Sequence, residues 1–345
     1  LVPFFAKKAL FTYFLFGAFM NLHPFRLSLL GLSLLIPIAL AAVVLFLLIY
    51  SGQAIGFNGF SFITDINWNL GDLYNDPVMS RGVQVPDGAN YGIFVFIVGT
   101  LASSLIAILI AVPLSVGAAI FLAEAVPAKI RPVLSMLVEL VAVVPSVVFG
   151  LWGIAVLVPF IGSYLGPFMS DVLGWIPGGF FAGGNTGNGY GLLAASIVLA
   201  LMITPIIATT LLDALLQVPK ENRESAFALG ATHYEVVTKA MMPMVRQTLI
   251  GGIVLALGRA LGETMAVLMV SGGGINILPG TIYSPVSTIA SFIVSQLDSA
   301  ESDPTNMAVR SLAEIALVLF VITLAVNAGA KILSSGALHV RKRQH

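Results

Sequence analysis

The sequence predicts an all-α membrane protein with six transmembrane helices. The first observation is composition: 58% of the 345 residues are hydrophobic and only 9% are charged, where soluble domains carry about 25% charged residues. The second is length. Six apolar segments, near residues 27–50, 92–122, 133–160, 191–215, 247–270 and 309–333, can each cross a hydrocarbon layer of about 30 Å. The third is the distribution of charge. Lys7, Lys8, Arg26, Lys129, Arg131, Lys220, Arg223, Lys239, Arg246, Lys331, Arg341, Lys342 and Arg343 all fall on one side of those segments. The loops on the other side hold Asp65, Asp72, Asp76, Asp87, Asp171, Asp298, Glu301 and Asp303, with Arg81 and Arg310 as their bases. Basic loops stay in the cytoplasm, so an even number of crossings with both termini cytoplasmic explains the partition.

Residues 1–26 precede the first span. Their apolar run beside Lys7 and Lys8 reads either as a helix lying in the cytoplasmic interface or as an upstream extension of little consequence. The transmembrane domain is expected over 27–335, followed by a basic cytoplasmic tail, 336–345. Within the domain, the outer loop 51–91 reads as irregular. The stretch 161–190, rich in Gly and Pro, reads as turns. In 271–308, the apolar run Val286–Leu297 is too short to span and is tolerated at membrane depth only if shielded from lipid. Pro113, Pro145 and Pro205 fall inside spans, where neighbouring helices can satisfy the freed carbonyls. There is no cysteine, hence no disulfide framework.

Arg259 and Glu263 are the only charges in the 24-residue apolar stretch Gln247–Val270. On a continuous helix they lie about 18 and 24 Å from its start, and each costs about 2.5–3.5 kcal/mol to insert. Four residues apart, they share a helix face. Gly258 and Gly262 allow another helix close by. The functional reading is a route for an anion, which Arg259 attracts through its planar fork of donors; the alternative is an ion pair that staples helices. Thr264 is a hydroxyl on the same route. Glu139, Ser146 and Glu314 are weaker candidates: Glu139 about 9 Å into the third span and Glu314 about 8 Å into the sixth. Hydroxyls in such helices also bond their own backbone. No residue is assigned to catalysis or to a metal.

The inward loop 213–246 contains Glu224, Ser225, Ala226, Gly230 and Pro243, in the spacing of the E-A-A-x3-G…P loop of ABC-importer permeases. Small residues offer a face for close approach. Gly230 can end one helix in a left-handed conformation, and a second, from His233, is expected to be bounded by Pro243. Two short helices so joined make a projecting knob, suited to a groove on a soluble partner. The chain has no G-x-x-x-x-G-K-[ST] phosphate loop, so a nucleotide would bind elsewhere.

Three stretches, ELVAVVPSVVFGLWG at 139–153, the loop at 224–243 and GRALGETMAV at 258–267, make the chain resemble the C-type permease subunits of phosphate-specific ABC importers. The resemblance implies the type I (MetI-like) importer permease fold and a bacterial inner-membrane location. It implies a second, A-type permease as partner, two copies of an ATPase subunit that bind ATP and magnesium, a periplasmic phosphate-binding protein, no cofactor in this chain and no nucleic acid. It implicates Arg259 and Glu263 in transport. Glu263 could accept a hydrogen bond from hydrogen phosphate, whereas sulfate has no proton to offer at neutral pH. The remaining alternatives are a sulfate or molybdate permease, an ion-coupled secondary carrier and a membrane sensor without flux.

Overall fold

The computed structural model describes residues 24–176, 179–181 and 187–341, with side chains from 27 to 332. The expectation for residues 1–26 falls almost wholly outside the described residues, as does the end of the basic tail. Two compact units divide at Ser51 and Gly52. The first consists of the opening part of helix α1 (Pro24–Asn58), apolar on every side, as a helix in lipid should be.

The second unit begins with the end of α1 and the short α2 (Ser61–Thr64). The outer loop, expected to be irregular, instead forms two small antiparallel sheets. Strands β1 (Trp68–Asn69) and β4 (Asn90–Tyr91) pair, as do β2 (Val78–Ser80) and β3 (Val83–Val85). Arg81 and Gly82 close the β2–β3 hairpin, both at positive φ, 49° and 83°, the two-residue turn whose twist suits paired strands. Arg81 donates to the Phe57 carbonyl at 2.5 Å, and its guanidinium lies 5.7 Å from the centre of the Phe57 ring.

The remaining spans are α3 (Phe94–Ala125), α5 (Ser146–Leu173), α6 (Leu192–Leu216), α8 (His233–Gly262) and α11 (Met307–Arg341), whose described span runs to Ile332. With α1 they make six helices long and apolar enough to cross a membrane. Four of the six segments lie where the sequence places them. The third and fifth need correction.

The third span is not 133–160. Residues Arg131–Val143 form a separate helix, α4, and the spanning helix starts at Ser146 and runs on to Leu173, through much of the stretch expected as turns. The cause is Pro145. Its ring pushes the preceding residue out of the helical region, and Val144 and Pro145 are extended at ψ 128° and 139°. The fifth span is not continuous to Val270 either. Helix α8 ends at Gly262, Glu263 is extended at ψ 126°, and a new helix, α9, covers Met265–Val270.

Helix α6 is the centre of the bundle, with 72% of its apolar window buried. It packs on α3 and α8, and Ser115 of α3 donates to the Thr204 carbonyl at 2.9 Å, beside Pro205. Three apolar clusters stack along the unit. The middle one joins α3, α5, α6, α8 and α9. The outer one joins the loop strands to α10 (Ile289–Glu301) and α11 through aromatic contacts, Phe96 on Phe292 at 3.7 Å and Trp68 on Phe292 at 5.1 Å. The apolar run at 286–297 lies mostly on α10, whose first turn is buried in protein and whose Ile289 amide donates to Thr100 Oγ1 at 2.8 Å. The inner cluster joins the ends of α3 and α6 to the start of α8.

Candidate functional site

Glycine brings the two signature stretches together. A Cβ on Gly150 would lie 2.5 Å from Met269 Sδ and 3.3 Å from Ala266 Cα; one on Gly153 would lie 2.6 Å from Val270 Cγ1. Their lack of side chains lets α9 rest directly on α5. The contacts advance together along both chains, so the two helices are parallel. Each helix start follows a break: α5 starts at Ser146 after Pro145, and α9 starts at Met265 after Glu263 and Thr264.

At the break in the fifth span Glu263 Oε1 accepts from the Ala266 amide at 3.3 Å, and Thr264 Oγ1 donates to the Gly262 carbonyl at 3.2 Å. Glu263 thus fills the role of an N-terminal cap for α9, where a carboxylate is favoured by the helix dipole. This capping is the local reason for the break: the carboxylate satisfies an amide that a continuous helix would have paired with a carbonyl. The break also overturns the expected geometry of the pair. Arg259 is the last basic residue of α8 and Glu263 lies past its end, so the two do not share a helix face. Among the described residues the ion pairs are Arg223–Glu124 and Lys239–Glu235, and neither involves Arg259 or Glu263. Glu263 and Thr264 are half-buried, whereas Arg259 is exposed. Gly258, beside it, faces the Asn327 side chain of α11, 3.7 Å from where a Cβ would stand.

The weaker candidates separate. Ser146 is half-buried at the start of α5. Glu139 is exposed on α4, ahead of the third span and not inside it. Glu314 is buried in α11 and accepts from Asn58 Nδ2 at 2.8 Å, a contact with the end of α1. Asn58 also donates to Ser311 at 3.3 Å. The structure thus places Glu263 and Thr264 together at the break in the fifth span, Ser146 at the start of α5, and ties Glu314 to the outer cluster.

The inward loop is built as the spacing predicts up to Gly230. Helix α7 (Lys220–Ala228) carries Glu224, Ser225 and Ala226 and has no fully buried residue. Gly230 follows at φ +84°. Its amide donates to Phe227 O at 2.9 Å, and the Ala231 amide to Ala226 O at 3.1 Å, the Schellman pattern of a helix end. Thr232 then caps α8 in a reciprocal box with Glu235. Leu229 and Tyr234 project, 89% and 76% exposed. Pro243 does not bound this second helix. The helix passes through a π turn at Val236–Met241 and continues to Gly262; the wider turn accommodates a ring that would clash in a regular helix.

The comparisons follow this geometry. Residues 115–337 match the family described as the binding-protein-dependent transport system inner membrane component, so the chain is a multi-pass importer permease by class. A relative from Mycobacterium tuberculosis, phosphate transport system permease protein PstC 1, is 47% identical over 87% of this chain and 89% of its own length. One from Haemophilus influenzae, phosphate transport system permease protein PstC, is 39% identical over 84% and 86%. The inward-facing MetNI methionine ABC transporter superposes at TM-score 0.47 with 18% identity, covering 69% of this chain and 92% of that one. The chain belongs to the PstC family of ABC-importer permeases.

Proposed function

We propose that this chain is a membrane subunit of an ATP-driven importer that carries inorganic phosphate from the periplasm to the cytoplasm, across the bacterial inner membrane, with both termini cytoplasmic. The observation that carries the site is the broken fifth span: α8, whose last turn holds Arg259, ends at Gly262, and Glu263 and Thr264 lie at the break before α9. Interrupted helices in transporters form such substrate sites, with N-terminal ends toward anions. Arg259 attracts the oxyanion. Glu263 repels a fully ionised one but accepts from the hydroxyl of hydrogen phosphate, and Thr264 and Ser146 add hydroxyls.

The exposure of Arg259 supports the same reading. A charge on a spanning helix needs water or protein beside it, and in this proposal a second, A-type permease covers that face and closes the route. The chain performs no bond chemistry and holds no cofactor of its own. Two copies of an ATPase subunit bind ATP and magnesium, meet the knob formed by Glu224, Ser225, Ala226, Gly230, Leu229 and Tyr234, and drive alternation between outward-open and inward-open states. A periplasmic binding protein delivers the phosphate.

The test is uptake of labelled phosphate by the reconstituted complex, with sulfate and molybdate as competitors. Phosphate uptake that needs ATP and resists a hundredfold excess of sulfate is expected. Uptake of sulfate or molybdate in preference would assign the route to another oxyanion, and uptake driven by an ion gradient without ATP would make this a secondary carrier. Glu263→Gln is expected to reduce the preference for phosphate over sulfate at least tenfold; an unchanged preference removes the carboxylate from selection.

A further inference from the structure

Helix α7 has no buried residue, yet it must pass any displacement to the spans. Two of its side chains make polar contacts with the bundle, and the neutral one is weak: Asn222 Nδ2 donates to Met244 Sδ at 3.4 Å. The other is charged. Arg223 Nη2 pairs with Glu124 Oε2, a residue 99 positions away at the inner end of α3. The other ion pair among the described residues, Lys239–Glu235, is local to one helix. The Glu124 side chain is 12% exposed and that of Arg223 31%, so this pair is shielded from the solvent that makes most surface pairs weak.

Three features make Glu124 a mechanical point. Its second oxygen, Oε1, is buried without a hydrogen-bond partner, so Arg223 alone answers its charge. On another side lies a pocket of about 270 Å³ lined by Ile120, His233, Tyr234, Val237 and Thr238, which leaves room beside the carboxylate. Its backbone lies in a π turn, Phe121–Ala125, whose carbonyls are gripped from α4: Arg131 donates to Leu122 and Ala123 at 2.8 Å and to Val126 at 3.1 Å. That π turn shares the inner cluster with the π turn of α8: Leu122 and Ala123 belong to it together with Val236, Val237 and Met241. A pull on Glu124 therefore acts on α3 and, through Arg131, on α4.

We infer that the Arg223–Glu124 ion pair is the link through which the inward loop moves the second span, with both acting as positioning residues rather than as parts of the substrate route. The inference rests on the proposed ATP-driven function for its driving force, but its readout does not need phosphate. The sequence contains no cysteine, so a Leu109→Cys variant, at a position 65% exposed on α3, places one environment-sensitive fluorophore on the second span of this subunit. In the purified whole complex, ATP is expected to change its signal. With Glu124→Gln or Arg223→Gln, the complex is expected to assemble and hydrolyse ATP within twofold of the parent while the ATP-driven signal falls at least fivefold. The exchanged pair, Glu124→Arg with Arg223→Glu, is expected to restore at least a third of it. A full signal in either single variant, failure of the complex to assemble, or no recovery in the exchanged pair overturns the link. An intact signal without phosphate uptake in the parent complex contradicts the phosphate reading instead.

Discussion

Gly153 and Gly150 show how single residues set the candidate site. Their missing side chains are what let α9 rest directly against α5. In Gly153→Ala the new methyl meets Val270 Cγ1 at 2.6 Å, and valine is stiff at χ1, so about 1–3 kcal/mol of overpacking strain is expected. Thermal unfolding of the detergent-solubilised complex should show it, with partial recovery in the Gly153→Ala/Val270→Ala double variant. Gly150→Ala should cost less, because the Met269 thioether can turn away. Equal losses, or no recovery with Val270→Ala, would contradict the close contact. At this scale the sequence was readable where chemistry stood out against its surroundings. Two charges in an apolar run announce themselves. The glycines that let α9 rest on α5 do not, because a missing methyl has meaning only against the residue it faces, Met269 for Gly150 and Val270 for Gly153, more than a hundred positions later.

At the scale of elements, the inward loop and the broken helices behave oppositely. The loop up to Thr232 was legible because its signals are local: Gly230 ends α7 and Thr232 with Glu235 starts α8. Gly230→Ala, held at φ +84°, should weaken the end of α7 by about 1–2 kcal/mol, and Thr232→Ala should cost the start of α8 about 1 kcal/mol. Hydrogen exchange of the α7 and early α8 amides should speed several-fold in each variant; unchanged exchange would show that the caps do not hold the knob. The breaks at Pro145 and Glu263 and the passage through Pro243 were not legible. A proline within an apolar run is compatible with a kink, a break or a π turn, and the choice depends on neighbouring helices. The hairpin at Arg81–Gly82 was missed because its strands are only three residues each, too short for an alternating pattern to show.

At the scale of the whole molecule, hydropathy and charge revealed six crossings because lipid admits few alternatives: backbone groups must pair within the segment, and bases stay inside. The orientation is directly testable. In spheroplasts, a thiol-specific, membrane-impermeant label should reach Tyr74→Cys, fully exposed in the outer loop, and should reach Leu229→Cys only after lysis. The reverse pattern would invert the topology and place the knob where no cytoplasmic ATPase could meet it. The shape of the route itself was not available to sequence reasoning, since Arg259 is exposed on this chain and the second permease that we propose beside it is a separate chain.

The central claim is that a phosphate ion passes Arg259 on its way inward. The most direct measurement is ATP-dependent uptake of labelled phosphate by the reconstituted complex carrying Arg259→Gln, with assembly and ATP hydrolysis followed in the same preparation. Uptake at least tenfold below the parent, in a complex that assembles and hydrolyses ATP, is the predicted result. Uptake at the parental rate would contradict it.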